Sequence, residues 1–542
     1  MSATFRLPLP SGNWVRFLFV PVLMFVSTAI DRNYQTDLWH HLARGRAIVA
    51  EGRMIDTDRF TYTVADRHFQ DDNWLWQVCF YKLHTIGGLE LVQTVNSAIL
   101  FVAMVCLVLH TWCRSGSLKV ASAVCVLAFL GVWQLLIIRP QTASFLLFIG
   151  LSWLLDEADR RRWLLFFPPV VMALWANLHG GFPTGLLLIG CYALAPVLTA
   201  LYTAYHEAKP GSVFHQVPPA VVPFIRTTWP WLACLAASVA ATGVNPYGYH
   251  VYEYVRHTSG IASERQIQEW LPPGMHLILS WFWVLSVLLL MIAFARRGRR
   301  PTVQDFVLIF CFLPLACGAV RMVAWWMFIC VPILAAQTVN LSAAWRDTEA
   351  DRKPTWVAAL IGVVLLAALV IGLPWLENYN PFLRSPDRSG HRDEYDLAEA
   401  VDYLKGEKSG ARLYASFEWG EFLCWKQWDD SRVFMDGRIE IYPDAVWDEY
   451  WAVRNVRADW QEILDKYGVD FLVLDNRGFH HDLLTALEKA AAKPQTARWR
   501  EVFGKGSVVI YARIPMLQSQ MEPRPLGSGA GAEPLPNSRG SD

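Results

Sequence analysis

Apolar runs of membrane-crossing length alternate with short polar turns over the first two thirds of the chain. Eleven such runs lie near 14–30, 91–112, 119–138, 141–155, 163–176, 184–204, 228–243, 277–295, 303–319, 322–340 and 355–374. A helix needs about 20 apolar residues to cross a bilayer; the runs at 141–155, 163–176 and 228–243 are the short ones. Beyond residue 374 the pattern changes. An amphipathic helix at 394–406 leads to a strand at Ala411–Ser416. A helical stretch at Glu418–Lys426 leads to a strand at Arg432–Met435, and a longer helix at 445–467 leads to Phe471–Leu474. Two further strand-like runs follow near 499–503 and 507–513. Alternating helices and strands predict an α/β domain with a mainly parallel sheet. The tail at 515–542 is rich in Pro, Gly and Ser without periodicity, which predicts disorder. The pattern as a whole predicts a multi-span α-helical membrane protein. About 11 transmembrane helices fill 1–374, with a first outer loop at 31–90, and a C-terminal extracytoplasmic α/β domain fills 375–514.

Composition supports this division. Of 542 residues, 54% are hydrophobic and 18% charged, against roughly 25% charged in soluble domains. From Trp375 onward, 28 Asp and Glu outnumber 21 Lys and Arg, so the net charge of zero hides a basic membrane part and an acidic domain. This excludes a disordered chain, a basic nucleic-acid-binding domain and a disulfide-stapled scaffold. With a cytoplasmic N-terminus, the inner segments hold Arg6, Arg16, Arg114, Lys119, Arg160–Arg162, Lys209, Arg226, Arg296, Arg297, Arg299, Arg300, Arg346, Arg352 and Lys353. The short outer loops hold only Arg139, Arg256, Arg265 and Arg321. The excess of basic residues inside predicts that the α/β domain faces out.

That orientation gathers polar residues from six loops on one face: Asp37, Asp71 and Asp72, then Arg139, Asn177 and His179, Asn245, Glu269 and Arg321. Ionisable groups at membrane depth are costly and mark functional sites by default. Thr36 reads as the N-cap of a helix with Asp37 in its first turn. There the helix dipole favours the carboxylate, which can take a proton from an attacking hydroxyl; the plainer role is to stabilise the helix end. Leu38, Trp39, Leu42, Ile48 and Val49 suit a helix lying in the membrane interface. Arg139 and Arg321 either grip phosphate with their forked donors or reach to lipid headgroups. His179, beside Gly180 and Gly181, is a phosphate contact or a loop-packing residue. Asp56 and Asp58 are spaced as carboxylates that hold Mn²⁺ or Mg²⁺, and equally as a turn. His40 and His41 point about 100° apart on a helix and make no metal clamp. In the outer domain, Asp436 and Asp475 follow strands, where open α/β sheets bind ligands. The run Phe417-Glu418-Trp419-Gly420-Glu421 sits at the same end and suits either a turn or a binding surface.

The stretch Asp37-Leu38-Trp39-His40-His41-Leu42-Ala43-Arg44-Gly45-Arg46 after a first span resembles the first outer loop of GT-C membrane glycosyltransferases. The resemblance continues through Asp58–Thr63, Asp71-Asp72-Asn73-Trp74, Arg139-Pro140-Gln141, Asn177-Leu178-His179-Gly180-Gly181, Asn245-Pro246-Tyr247-Gly248 and Glu269-Trp270-Leu271-Pro272. It is nearest to bacterial Rgt-like or protein-mannosyltransferase-like members. The resemblance implies a polyprenyl-phosphate sugar as donor, a glycan, lipid or protein as acceptor, and residence in the bacterial inner membrane among lipids, with no nucleic-acid partner. It implies a catalytic role for Asp37, with Asp71 and Asp72 beside it, and a phosphate cradle of Arg139, His179 and Arg321. Trp39, His40, Arg44, Trp74, Asn177, Asn245 and Glu269 would meet substrate, joined by Glu418, Trp419 and Asp436 of the outer domain. Asp71-Asp72-Asn73-Trp74 departs from the His/Pro-containing version of that motif. No cofactor is implied with certainty, and a divalent metal, Mn or Mg, stays open. Two other readings compete. A transporter or envelope-assembly protein would show mid-span charges or paired broken helices, whereas here the charges cluster at the outer ends. A polymer ligase or polymerase would share the chemistry but not the acceptor.

Overall fold

The computed structural model describes residues 11–30, 37–207, 221–296, 301–379, 389–407, 409–426, 431–492 and 497–515. The expected N-cap Thr36, the tail after residue 515 and the basic residues Arg6, Lys209, Arg297, Arg299 and Arg300 lie outside these. The chain is a multi-span α-helical membrane protein with a C-terminal β/α domain. Its first part consists of α1 (Gly12–Ile30), α2 (Asp37–Glu51), α3 (Trp74–Ser115), α4 (Leu118–Val132), α5 (Gln141–Ala158) and α6 (Phe167–Leu178). There follow α7 (Phe182–Glu207), α8 (Val221–Ala241), α9 (His250–Glu264), α10 (Ile278–Ala295), α11 (Val303–Gly318), α12 (Val323–Thr338), α13 (Glu349–Arg352) and α14 (Trp356–Ile371). Each of the eleven apolar runs falls on a helix. Among the described residues, six helical stretches are long and apolar enough to cross a bilayer, and shorter apolar helices cover Arg162–Leu178, Thr228–Ala241, Val303–Gly318 and Trp356–Ile371. Phe310, Trp356, Val363 and Leu366 are exposed on these helices, as lipid-facing side chains must be.

The first outer segment is more helical than expected. Its last part, from Trp74, runs directly into the span as α3, bent where Gly87 and Gly88 leave helical geometry; Gly88 has φ 67°. α2 packs so closely on α3 that a Cβ on Gly45 would lie 2.2 Å from the Gln77 carbonyl oxygen, so only glycine fits. The apolar face of α2 does not lie in the membrane interface as expected. Leu38, Trp39, Leu42, Ala43 and Ile48 are buried in one hydrophobic core with Phe60, Phe69 and the C-terminal sheet. Trp39 meets Phe422 edge-on at 5.0 Å between centroids. A protein partner with complementary shape competes successfully with lipid for such a face.

The outer domain comprises α15 (Ser389–Lys405), β1 (Ala411–Ala415), α16 (Phe417–Lys426), β2 (Ser431–Val433), α17 (Asp444–Arg454), α18 (Trp460–Lys466), β3 (Phe471–Asp475), α19 (His481–Ala491), β4 (Trp499–Lys505) and β5 (Val508–Arg513). The strand order is β2-β1-β3-β5-β4. β1 pairs in parallel with β2 and β3, but β5 pairs antiparallel with β3 and β4, so the sheet is mixed rather than mainly parallel. The reason is the connection. Only Gly506 and Ser507 join β4 to β5, with Gly506 at φ 54°, whereas a parallel crossover needs a dozen residues or more. The expected helix at 445–467 is broken between Asn455 and Asp459, where Val456 adopts φ 52°. α19 was not foreseen. The first outer segment caps the sheet edge: Thr61 bridges Val433 in parallel, Tyr62 N–H donates to the Val433 carbonyl, and Thr63 Oγ1 donates to the Phe434 carbonyl at 2.6 Å. An edge strand is thereby protected from stray pairing.

Charged helix ends gather away from this domain. Arg16 and Lys119 both pair with Asp351 at 2.8 Å, and Arg114 joins Asp305 to Asp156. His110 adds a 2.6 Å contact to Asp156. Arg16, Arg114 and Lys119, three of the basic residues expected inside, thus meet acidic partners at the helix ends opposite the polar residues described next.

Candidate active site

Asp37 occupies the first turn of α2, and its Oδ2 lies 2.5 Å from Arg139 Nε. Arg139 Nη1 donates to Glu269. Arg139 thus holds two carboxylates from distant loops. Glu269 sits in a 3₁₀ turn, Gln268–Trp270, tied to the Val320–Met322 turn before α12 by the Val320 N–H donating to the Leu271 carbonyl. The next residue, Trp270, carries the Arg321 guanidinium 4.3 Å above its ring. Arg321 is half-buried, and among the described residues nothing accepts a hydrogen bond from it. His179 follows α6. Its Nδ1 accepts from the Gly181 N–H at 3.1 Å and lies 2.7 Å from Ser144 Oγ, which itself accepts from Trp175 Nε1. Nδ1 is therefore the acceptor, and Nε2 carries the hydrogen. Burial, then the positive charges of Arg321 and Arg139, lower the His179 pKa to about 3. The imidazole offers an N–H to the site.

Asp71 and Asp72 stand behind this group. Asp71 Oδ2 is 3.1 Å from Arg44 Nη1, its Oδ1 accepts from Gln77 Nε2 at 2.8 Å, and its N–H donates to the Tyr247 hydroxyl. Asp72 presses against Gly180, where a Cβ would come within 2.2 Å of Oδ2. Asp71 is 1% and Asp72 6% exposed, whereas the side chains of Asp37 and Glu269 are 31% and 30% exposed. Only the latter pair can reach a substrate directly. Burial, then the charge of Asp71, push the Asp72 pKa up to about 7. Glu421, buried with Oε1 3.0 Å from His40 Nδ1, is pushed up to about 7 as well, chiefly by burial. Each acid keeps its proton in the folded protein at pH values where an unfolded chain, titrating near 4, has lost it. Their contribution to stability is therefore greatest at low pH and declines as pH rises toward 7. Apparent melting temperature should fall between pH 5 and pH 8, and Asp72→Asn should flatten that fall. An unchanged slope in the variant would show that Asp72 does not titrate there.

A second buried cluster fastens the outer domain to the first loop. Arg438 makes hydrogen bonds to both Asp436 oxygens, at 2.6–3.0 Å, and to Asp58 Oδ1 at 2.5 Å. Asp58 Oδ2 also accepts from Thr61 N–H and Oγ1. Burial pushes the Asp436 carboxyl up, and the Arg438 charge more than reverses this, leaving it below the usual aspartate range. The α9 end docks on the same domain: Arg265 donates to the carbonyls of Ile439 and Tyr442, and Tyr254 donates to Glu440 at 3.1 Å.

Asp37, Arg139, Glu269, Arg321, His179 and Asp72 thus meet in one place, with Asp71 and Arg44 behind and His40 at the α16 side. Trp74 Nε1 donates to Asn177 Oδ1, and Asn177 Nδ2 to the Val244 carbonyl, so this pair joins α3 to the loop after α8. Asn245 closes its own turn, with Nδ2 on the Thr242 and Gly248 carbonyls. Trp39 and Trp419 lie in the core, and Asp436 is spent on Arg438. Glu418 is exposed in the first turn of α16. Sequence reasoning gave no role to Arg438 or Glu440. The signal for the first was an arginine beside an aspartate at the end of an apolar strand. Asp71 faces Arg44, Asp58 faces Arg438, and among the described residues no three His, Cys, Asp or Glu side chains converge as ligands.

No family model matches the chain, and no curated protein matches it in sequence. Among solved structures, it is similar to the apo oligosaccharyltransferase of Archaeoglobus fulgidus at 11% identity and TM-score 0.47, over 85% of this chain and 69% of that one. It is also similar to ArnT from Cupriavidus metallidurans bound to undecaprenyl phosphate, at 12% identity and TM-score 0.43, over 92% of this chain and 97% of that one. The apo ArnT gives 14% identity and TM-score 0.43, over 92% and 98%.

Proposed function

We propose that the protein is a membrane glycosyltransferase that moves a sugar from a polyprenyl-phosphate donor to an acceptor outside the cytoplasm. The observation that carries this reading is the pairing of two unlike groups on one face. A reachable carboxylate, Asp37, is aimed by Arg139, and beside it stands Arg321, a guanidinium with no acceptor among the described residues. A carboxylate beside an available cation is what displacement at a glycosyl phosphate requires. The acceptor hydroxyl attacks the anomeric carbon and passes its proton to Asp37. The bond from that carbon to the phosphate oxygen breaks, and polyprenyl phosphate leaves. Arg321 and the Nε2–H of His179 stabilise the negative charge that grows on the phosphate, the larger share of the catalytic task. One displacement inverts the anomeric centre. Arg139 positions Asp37 and Glu269, and Asp71 with Arg44 and Asp72 supports the loop from behind. The polyprenyl chain lies among the exposed apolar helices, and the α/β domain faces the extracytoplasmic side of a bacterial inner membrane.

The phosphate contact is tested by binding alone. In nanodiscs, Arg321→Leu should weaken undecaprenyl phosphate binding about 10- to 100-fold, the worth of a charge-assisted hydrogen-bonded contact. Equal binding by the variant and the wild type would remove Arg321 from the phosphate site.

A further inference from the structure

Glu421 is a fully buried acid, and the fold makes room for it. α16 starts where Ser416 Oγ accepts from the Trp419 N–H, and its first turns press onto the segment 435–437 after β2. A Cβ on Gly420 would lie 2.2 Å from the Met435 carbonyl oxygen, and one on Gly437 would lie 1.7 Å from Glu421 Oε1. The carboxyl thus passes two glycines to reach α2. There its Oε1 lies 3.0 Å from His40 Nδ1, and its Oε2 has no hydrogen-bond partner among the described residues. A buried acid with a single partner is costly and calls for a reason. That partner stands at the candidate active site. His40 lies one turn beyond Asp37 on the same face of α2, at the usual Cβ separation of about 5–6 Å. Its ring is backed by His41, 4.1 Å away between centroids, whose Nδ1 lies 3.3 Å from Gln77 Nε2. The Nε2 of His40 has no partner among the described residues, and the side chain is 14% exposed.

We propose that His40 is the proton relay of the transfer step and that Glu421, from the outer domain, is its positioning residue. The inference rests on the glycosyltransferase reading and deepens it. The acceptor hydroxyl gives its proton to Asp37 as its oxygen attacks. Asp37 must lose that proton before the next turnover, and Arg139, already fully protonated, cannot take it. His40 Nε2 takes it through one bridging water, so that the Asp37 O–H bond breaks and an N–H bond forms. The Nδ1–H donates to ionised Glu421, which fixes the tautomer with its lone pair on Nε2 and stabilises the imidazolium that forms. The proton passes from Nε2 to bulk water once product departs. The opposite state is idle. Burial, offset in part by His40, pushes Glu421 up to about 7. When protonated it donates to Nδ1, the ring hydrogen sits on Nε2, and no lone pair faces Asp37. Transfer should therefore rise with pH through about 7. The other charged or titratable groups around the pair are Asp37, His41 and Arg44 of α2, Cys424 of α16, Asp436 and Arg139. Burial keeps His41 neutral and the Cys424 thiol protonated in this range, and Arg438 keeps Asp436 ionised.

Two measurements on the full-length protein in nanodiscs test this. The first needs no substrate. In ¹⁵N-histidine spectra the His40 signals are assigned by their loss in His40→Gln. They should show Nδ1 protonated and Nε2 bare at about pH 8, with Nε2 gaining its hydrogen toward about pH 6. Glu421→Gln, an isosteric change, should abolish that change over the same range. The second follows release of undecaprenyl phosphate from labelled undecaprenyl-phosphate sugars as pH is varied. His40→Gln should lower kcat about 10²-fold with the KM for donor unchanged. Glu421→Gln should remove the rise in kcat between about pH 6 and pH 8. A His40 tautomer that does not change with pH, or changes equally in Glu421→Gln, would overturn the assignment of Glu421. Release by the wild type with kcat and pH profile unchanged in His40→Gln would overturn the relay and keep the transferase reading. No release by the wild type from any donor, with the tautomer change present, would overturn the transferase reading and the relay with it.

Discussion

Asp37→Asn should abolish sugar transfer while leaving the protein folded. The expected fall in kcat is about 10²- to 10⁴-fold, the usual worth of a general base placed at its proton. Two effects compete in such a variant, and their sizes differ enough to be told apart. The carboxylate also favours the start of α2, a contribution of about 0.3–1 kcal/mol at a helix N-terminus. Asp37 is one third exposed, and Arg139 keeps Glu269 as a partner, so no buried charge is left unpaired. The melting temperature should therefore move by at most a few degrees. Donor binding should also persist, because the phosphate contacts assigned to Arg321 and His179 are intact. A variant that transfers normally would show Asp37 to be only a helix-end residue. A variant that unfolds would show that the Asp37–Arg139 pair is structural.

The opposite pattern is expected at Arg438. Arg438→Met removes a fully buried cation from between Asp58 and Asp436, which are 1% and 2% exposed. Breaking a buried ion cluster on one side costs about 3–5 kcal/mol, because the remaining charges stay desolvated and unpaired. The cost falls on the joint between the first outer segment and the α/β domain, since Asp58 belongs to the one and Asp436 to the other. Limited proteolysis of the variant should cut within 52–73 or at the outer domain before any membrane helix is touched. Replacing the whole cluster, as Asp58→Leu with Asp436→Leu and Arg438→Met, should recover much of the stability, since well-packed apolar groups often equal a buried triad. Equal thermal stability of Arg438→Met and wild type would mean that water reaches the cluster.

The helical framework was legible because hydropathy in a bilayer is a strong constraint: backbone groups must be satisfied within each segment, so apolar runs become helices. Asp37 in the first turn of a helix was legible from local signals alone. The grouping of Asp37 with Arg139, Glu269, Arg321, His179 and Asp72 followed from loop order and orientation. What each residue touches did not follow. Arg438 and Asp58 are 380 positions apart, and nothing local to Asp56-x-Asp58 says that its second carboxylate turns inward to an arginine. The covered face of α2 was misread for the same reason. An amphipathic helix reports that it has an apolar partner, and not whether that partner is lipid or the α/β domain. The sheet was misjudged at its far edge, where the two-residue link Gly506–Ser507 outweighs the alternation of helices and strands before it.

The most direct test uses the purified protein in nanodiscs with labelled undecaprenyl-phosphate sugars, following release of undecaprenyl phosphate by wild type and Asp37→Asn, with and without Mn²⁺. The account predicts release from at least one donor by the wild type and its loss in the variant. Release that Asp37→Asn retains in full, or no release from any donor that the wild type demonstrably binds in the presence of saccharide, lipid and peptide acceptors, would contradict it.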